Sequence, residues 1–460
     1  MIQVYLRELT IEGYKGFRYP FSVSFQKGLN VIVGENASGK TAIIDAIRLL
    51  LREDEFGHSP VNESDFHRPF DPSQESAKAF RLRADFANLS ENEHVAFLPW
   101  LDVNGDASLT LLVDDKQNHR GQYKRTLWGG ASRASAFEWE LFDLINCVYL
   151  PPLRDAEARL SEGRSSRLAR LLKNLQNKAI QEAKEKGELL PIEKKVRDFN
   201  KSLADEKEGV IAKANELIRE RLIESFGPIF GQDTRIQFSE VNFNRIAESL
   251  RLLFFPNVNT ASSGDFRTLM ENSLGYNNLL YLATVLAELT ESGEDYLNVL
   301  LIEEPEAHLH PQLQIRLLKY LESTAQNNNV QIIVTTHSPV LASSVSLETI
   351  IQLAVHEAPQ SIALHSCGLS EQSKAFLNRW LDTTKSNLLF AKGIVLVEGI
   401  AEAMLLPELA KIVLSDYNDK SSKILPKTLE DGGISVINMN GIYFKHFMQL
   451  FADLNGIPLS

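Results

Sequence analysis

The stretch Gly34-Glu35-Asn36-Ala37-Ser38-Gly39-Lys40-Thr41 fits the pattern G-x-x-x-x-G-K-[ST] at every fixed position. Its chemistry is the binding of a polyphosphate. Glycines let backbone N–H groups turn inward around an anion, and the helix that follows adds the partial positive charge of its N-terminus. Lys40 can reach the β- and γ-phosphates of ATP, and the Thr41 hydroxyl can take part in a Mg²⁺ site. Gly34, Glu35, Asn36, Ala37, Ser38, Gly39, Lys40 and Thr41 are therefore the candidate nucleotide-binding residues. The motif requires a strand before it and a helix after it. Leu29-Asn30-Val31-Ile32-Val33 reads as a buried strand, and Ala42 to Leu51 has the apolar spacing of a helix. A chance glycine turn would not come with both flanks.

A second set of residues completes that chemistry. The apolar run Tyr296 to Ile302 ends in Glu303 and Glu304. The first acid can hold Mg²⁺ through a bound water, and the second can polarise the water that attacks the γ-phosphate. Adjacent carboxylates are reasonable there, because the ion offsets their repulsion. Asp is the commoner residue at the first position, so Glu303 is a mild departure. His308 and His310 follow, but a pair at i, i+2 without further ligands reads as a loop or helix start. The strand-like Val330-Gln331-Ile332-Ile333-Val334 leads into Thr335-Thr336-His337-Ser338-Pro339, so His337 is a candidate switch contact to the γ-phosphate. Ser273 and Gly275 open what reads as a helix to about residue 290, a good anion cap. In a face-to-face dimer that cap would cover the partner's γ-phosphate.

The rest of the chain must position these groups. At 460 residues it is long enough for two or three domains with real cores. A hydrophobic content of 44% and a charged content of 23% belong to a globular protein. The net charge of −12 argues against non-specific coating of nucleic acid while leaving room for a local basic groove. Cys147 and Cys367 stand apart, without metal or disulfide spacing. The N-terminus lacks a signal-peptide profile, and no apolar run approaches the roughly 20 residues of a membrane helix. A cytoplasmic protein with no membrane partner is expected.

The organisation reads as α/β. Residues 1–154 hold alternating strands, such as Phe21–Phe25, Arg81–Phe86 and Ser108–Val113, around the phosphate loop. Residues 155–227 are rich in Glu, Lys, Arg, Leu and Ala, broken at Pro191, and read as two or more long helices inserted into the first domain. Leu168, Leu171, Leu172 and Leu175 form an apolar stripe for another helix or subunit. Residues 228–385 return to alternating strands and helices, which suggests a parallel sheet.

The order of phosphate loop, Ser-x-Gly helix start, Glu303-Glu304-Pro305-Glu306-Ala307-His308 and Thr336-His337-Ser338 resembles the ABC-type ATPases of the SMC-like group. The wording Ile302 to Pro311 resembles the OLD (overcoming lysogenization defect) family of ATP-dependent endonucleases. This resemblance covers residues 1 to about 370 and implies an ABC/SMC-like fold with mixed sheets, in which the inserted helical segment dimerises the ATPase. Ser273-Leu274-Gly275 departs from the usual Leu-Ser-Gly-Gly, which weakens the transfer of that loop's role.

The resemblance makes a demand on residues 386–460. Gly393 to Val397 reads as a strand ending in Glu398-Gly399, followed by a helix from Ile400 to Pro407. Glu398 and Glu402, four residues apart, can face one point and hold Mg²⁺ or Mn²⁺ as hard oxygen ligands. This resembles the start of a Toprim (Rossmann-like) domain, the metal-dependent cutting module of topoisomerases and OLD nucleases. A second strand is expected at Ile434–Asn440 and a helix at Tyr443–Leu454. Such a domain then needs a later Asp-x-Asp, and none follows Glu398. Asp416, Asp419, Glu430, Asp431 and Asp453 lack that context. A partial Toprim domain is the expectation, from truncation or from completion by a second chain.

Two functions follow as expectations. One is an ATP-regulated, metal-dependent DNA endonuclease of OLD type, in anti-phage defence or DNA processing, acting as a homodimer or larger homo-oligomer. The other is a nucleotide-gated scaffold ATPase working with a second protein, possibly encoded nearby, with no cutting of its own. An SMC-like clamp is weaker, because the insert is too short for a long coiled-coil arm.

Overall fold

The computed structural model describes residues 4–451, apart from 53–60, 72, 103, 134–137, 153–155, 164–165, 206–208, 231–235, 237–241, 256–265, 292–296, 356–357, 422–423 and 442–443. The chain divides into two units, Met1–Arg154 with Glu294–Ser460, and Asp155–Gly293.

The first unit is built on two sheets. The larger runs, edge to edge, Pro359–Ala363, Ile350–Val355, Leu29–Gly34, Gln331–Thr335, Leu297–Glu303 and Ile145–Leu150. All neighbours are parallel except the first pair. Leu29–Gly34, Gln331–Thr335 and Leu297–Glu303 are buried along their whole length. That is why they read as continuous apolar runs: a parallel strand covered on both faces has no solvent side to keep polar. One cover is the helix Pro311–Asn327, which buries Leu317, Leu318 and Leu321 and packs on the strands Leu29–Gly34 and Gln331–Thr335. The helix Lys40–Leu51 buries Ile43, Ile44, Ile47 and Leu50 in the core that joins this sheet to the second one.

The second sheet is antiparallel, in the order Phe21–Ser24, Tyr5–Glu12, Ala79–Ala87, Ala107–Gln117 and Tyr123–Gly129. Its alternation shows in Ala79–Ala87, where Phe80, Leu82, Ala84 and Phe86 face inward. The mixture of parallel and antiparallel sheets matches the expected class, and the three strand segments anticipated in residues 1–154 all lie in this sheet.

The same unit carries a small parallel pair, Gly393–Val397 with Ile434–Asn438, linked by the helix Ile400–Lys420. The helix was expected to reach Pro407; it runs through that proline for three more turns. Pro407 gives up its own i→i−4 bond and crowds the Ala403 carbonyl, yet the helix continues past it. The expected Tyr443–Leu454 helix is shorter, Phe444–Met448 followed by a 3₁₀ turn at Gln449–Phe451, and its far end lies outside the described residues.

The second unit is helical. It contains Ala156–Leu160, Arg167–Lys186, Pro191–Asp205, Val210–Phe230, Phe243–Ser249 and Leu274–Glu291. Arg167 and Glu288 form a two-pronged ion pair at 2.9 and 3.0 Å, with the arginine 1% exposed. Removing either partner would strip the other buried charge of this ion pair. This contact, with the packing of Arg167–Lys186 on Leu274–Glu291, brings the helix opened by Ser273 and Gly275 into the helical unit. The helical unit therefore continues past the expected boundary at residue 227, to Gly293. In the apolar stripe, Leu168, Leu171 and Leu172 are half-buried and Leu175 is exposed.

Candidate nucleotide and metal site

Parallel pairing builds the site. Register sets Glu303 beside Thr335 and Thr335 beside Ile32, so three strands end at one level, next to the start of the phosphate loop. The carboxyl ends of parallel strands are where α/β sheets hold ligands. Two backbone bonds seal that level: Thr336 N–H to the Ile32 carbonyl at 3.1 Å, and Glu304 N–H to the Thr335 carbonyl at 2.9 Å.

The loop needs its glycines. Gly34 has φ 152°, and a Cβ there would stand 2.4 Å from the Leu353 carbonyl oxygen. Gly39 has φ 99° at the N-cap of Lys40–Leu51, and a Cβ there would meet the Phe17 ring at 2.5 Å. Ala37 also takes a left-handed turn, φ 62°. Lys40 is buried, and its ammonium donates to the Gly34 carbonyl at 2.8 Å and the Glu35 carbonyl at 2.6 Å. Burial pushes its pKa down to about 8, opposed by Glu304, Glu35 and Glu306. Ser38 is buried, while Asn36 and Thr41 are exposed at the loop's mouth.

The acids behave differently from one another. Glu303 is 4% exposed, and its carboxylate accepts a hydrogen bond from the Tyr149 hydroxyl at 2.5 Å. Glu304 is half open to solvent and sits at φ 42°, an uncommon place for a residue with a side chain. Its carboxylate lies 3.8 Å from Nε2 of His337. Burial lowers the His337 pKa and the Lys40 charge lowers it further, against Glu304.

Glu306 is a site residue that the motif reading does not single out. Its Oε1 accepts from the Thr336 hydroxyl at 2.7 Å and from the His337 N–H at 3.0 Å, fixing the backbone of the switch segment. Its other oxygen is buried without a hydrogen-bond partner, and burial raises its pKa. The signal was present as a third acid, two residues beyond Glu304, but only the fold turns it back under His337. His310 caps the helix Pro311–Asn327, and His308 lies exposed with φ 62°, in keeping with the loop-and-helix-start reading. Lys15 of Gly13-Tyr14-Lys15-Gly16 bonds Asp45 at 2.5 Å.

Ser273 and Gly275 belong to the helical unit. The Ser273 carbonyl accepts from Asn277 N–H at 3.0 Å, and its hydroxyl accepts from Tyr276 N–H at 3.4 Å, so Ser273 caps Leu274–Glu291.

Glu398 and Glu402 lie at the strand–helix junction as expected, both exposed. Glu402 Oε2 accepts from the Gly399 N–H at 3.0 Å, a capping contact. Among the described residues no group of three His, Cys, Asp or Glu side chains gathers as a metal site. Carboxylate oxygens suit a hard cation, but this arrangement does not by itself complete a ligand shell. Cys147 and Cys367 are not joined in a disulfide. Among the described residues no helix is long and apolar enough to cross a membrane.

A phosphate loop on a central parallel strand, with paired acids and a histidine at neighbouring strand ends, defines a P-loop ATPase core. The chain belongs to the AAA ATPase domain family, whose profile matches residues 5–127 and 138–342. Residues 389–459 match the overcoming lysogenization defect protein-like TOPRIM domain. Endonuclease GajA of Bacillus cereus (strain VD045) is 24% identical over 92% of this chain and 69% of its own length. The OLD nuclease of Thermus scotoductus is 24% identical over 84% of this chain and 71% of its own length. Among solved structures, an Smc head domain from Pyrococcus furiosus is 18% identical with a TM-score of 0.44, covering 82% of this chain and 99% of that one.

Proposed function

We propose that this chain binds and hydrolyses ATP, and that its nucleotide state controls a metal-dependent DNA endonuclease centre in the TOPRIM segment. The observation that carries the first half is the convergence of Lys40, Glu304, Glu306 and His337 at the ends of adjoining parallel strands. Lys40 and the loop amides would hold the β- and γ-phosphates, and Thr41 and Glu303 would hold Mg²⁺. The ion's chemistry there is neutralisation of phosphate charge. Glu304 is exposed enough to meet an attacking water and would accept its proton, while His337 would contact the γ-phosphate. Ser273 and Gly275 would serve a second copy's nucleotide, which supports a homodimer.

The cutting activity is carried over from the two nuclease relatives, with Glu398 as the principal metal-binding acid and Glu402 as its companion, on Mg²⁺ or Mn²⁺. DNA is the substrate this reading requires, and a cytoplasmic location goes with it. The test is nicking of supercoiled plasmid with Mg²⁺ or Mn²⁺, with and without ATP, beside a Glu398→Ala control. ATP-responsive nicking that vanishes in the control supports the reading. Nicking that survives in Glu398→Ala overturns the assignment of the acid.

A second reading, a nucleotide-gated scaffold, is favoured by one contact: Glu402 is already engaged as a helix cap. A chain that hydrolyses ATP, does not cut, and recruits a partner only with nucleotide would bear it out.

A further inference from the structure

Tyr149 is in no motif, yet it is the side chain that grips Glu303. The register that pairs Leu301 with Tyr149 sets Tyr149 on the same sheet face as Glu303, one diagonal step away. The phenol is 7% exposed, and its O–H donates to Glu303 Oε2 at 2.5 Å. The ring is held in turn. The Arg48 guanidinium lies 3.7 Å from its centroid, and Arg48 bonds Asp45 at 3.1 Å. Arg48 and Asp45 are on the same helix that opens with Lys40 and Thr41. One rigid element thus carries the phosphate lysine, the metal-side threonine and the clamp on the tyrosine.

We propose that Tyr149 is a positioning residue that holds the Glu303 carboxylate in the rotamer required by the metal of a bound Mg–nucleotide. The proposal rests on the assignment of Glu303 to that metal. Glutamate has one more rotatable bond than the aspartate more common here, so its carboxylate must be oriented from outside. The phenol fixes one oxygen and leaves the other for the ion. Groups that orient a metal ligand typically govern affinity by about 10–100-fold.

The test uses the full chain and two readouts. One is the Mg²⁺ concentration giving half-maximal ATP hydrolysis; the other is binding of a fluorescent ATP analogue in EDTA and along a Mg²⁺ titration. Tyr149→Phe should raise the Mg²⁺ half-point about 10–100-fold in both, leaving binding in EDTA unchanged. Glu303→Asp draws the carboxylate back from the phenol and should raise it in the same direction. On that background, Tyr149→Phe should add nothing further. An unchanged half-point in Tyr149→Phe, or a full second penalty in the double variant, overturns the proposal. Should Tyr149→Phe fail to fold, no shift in Glu303→Asp alone overturns it as well. Absence of hydrolysis in the wild type would sink the ATPase reading instead, and the binding titration would still decide the role of Tyr149.

Discussion

Two acidic centres sit in the same unit of this protein and are built in opposite ways. At the nucleotide site Glu303 is 4% exposed, gripped by Tyr149, and flanked by a residue held at positive φ. In the TOPRIM segment Glu398 and Glu402 are exposed, and Glu402 accepts from the Gly399 N–H. The first follows from the sheet: parallel strands buried on both faces deliver their ends, and the acids on them, to one covered level. The second stands on a two-stranded sheet whose linking helix, Ile400–Lys420, has no buried residue. The lesson is that preorganisation comes from the layers around a site and not from the motif. The same Glu-rich chemistry is fixed in one place and loosely held in the other.

Substitutions can break or sharpen that contrast. The largest effect is expected at Glu398: Glu398→Ala should abolish plasmid nicking while ATP hydrolysis, read by phosphate release, stays at the wild-type rate. Loss of both together would mean that the two centres are not separable. Next is Lys40→Ala, which removes the buried cation from the phosphates and should slow hydrolysis by about 10²–10³-fold. A rate within a few-fold of wild type would remove the phosphate loop from the mechanism. Glu304→Gln keeps the size of the side chain and removes its basicity, so kcat should fall by about 10²–10⁴-fold while nucleotide affinity, read by equilibrium binding, holds.

A subtler separation comes from pH. His337 has its pKa lowered below 6.5 by burial and by Lys40. Its folded pKa is depressed, so the stability it contributes is present above pH 6.5 and is lost as pH falls through the folded value. Hydrolysis that needs the neutral imidazole should follow the same sign, declining on the acid side of 6.5, and His337→Gln should flatten that limb of the rate profile. The smallest effect is at Glu402. On stability, Glu402→Ala removes an exposed helix cap and should lower Tm by about 1–2 °C, apart from any loss of nicking through its proposed part in the metal site. A larger drop would show the TOPRIM junction to be as rigid as the nucleotide site.

Much of this was legible in advance for a definite reason. A phosphate loop announces itself because glycine is needed where φ is positive and lysine where charge must be met, and Gly34, Gly39 and Lys40 carry those needs in eight consecutive residues. Buried parallel strands announce themselves as unbroken apolar runs, which is how Leu29–Gly34, Leu297–Glu303 and Gln331–Thr335 were found to within a residue or two. The helix Ile400–Lys420 was underestimated because a proline outweighs its neighbours in local reasoning, though not in a folded chain.

What the sequence by itself determined was therefore the local pattern: the loop, and as candidates the paired acids Glu303 and Glu304, His337, and the Glu398–Glu402 pair. What only the tertiary structure decided was which distant residues serve them. Tyr149 lies 154 positions from Glu303, and Glu306 lies 30 from Thr336, so no local pattern links either pair. Strand register sets Tyr149 one diagonal step from Glu303 on a pleated face, and the parallel pairing of Glu303 with Thr335, followed by the turn from Glu304 to Ala307, brings Glu306 to Thr336.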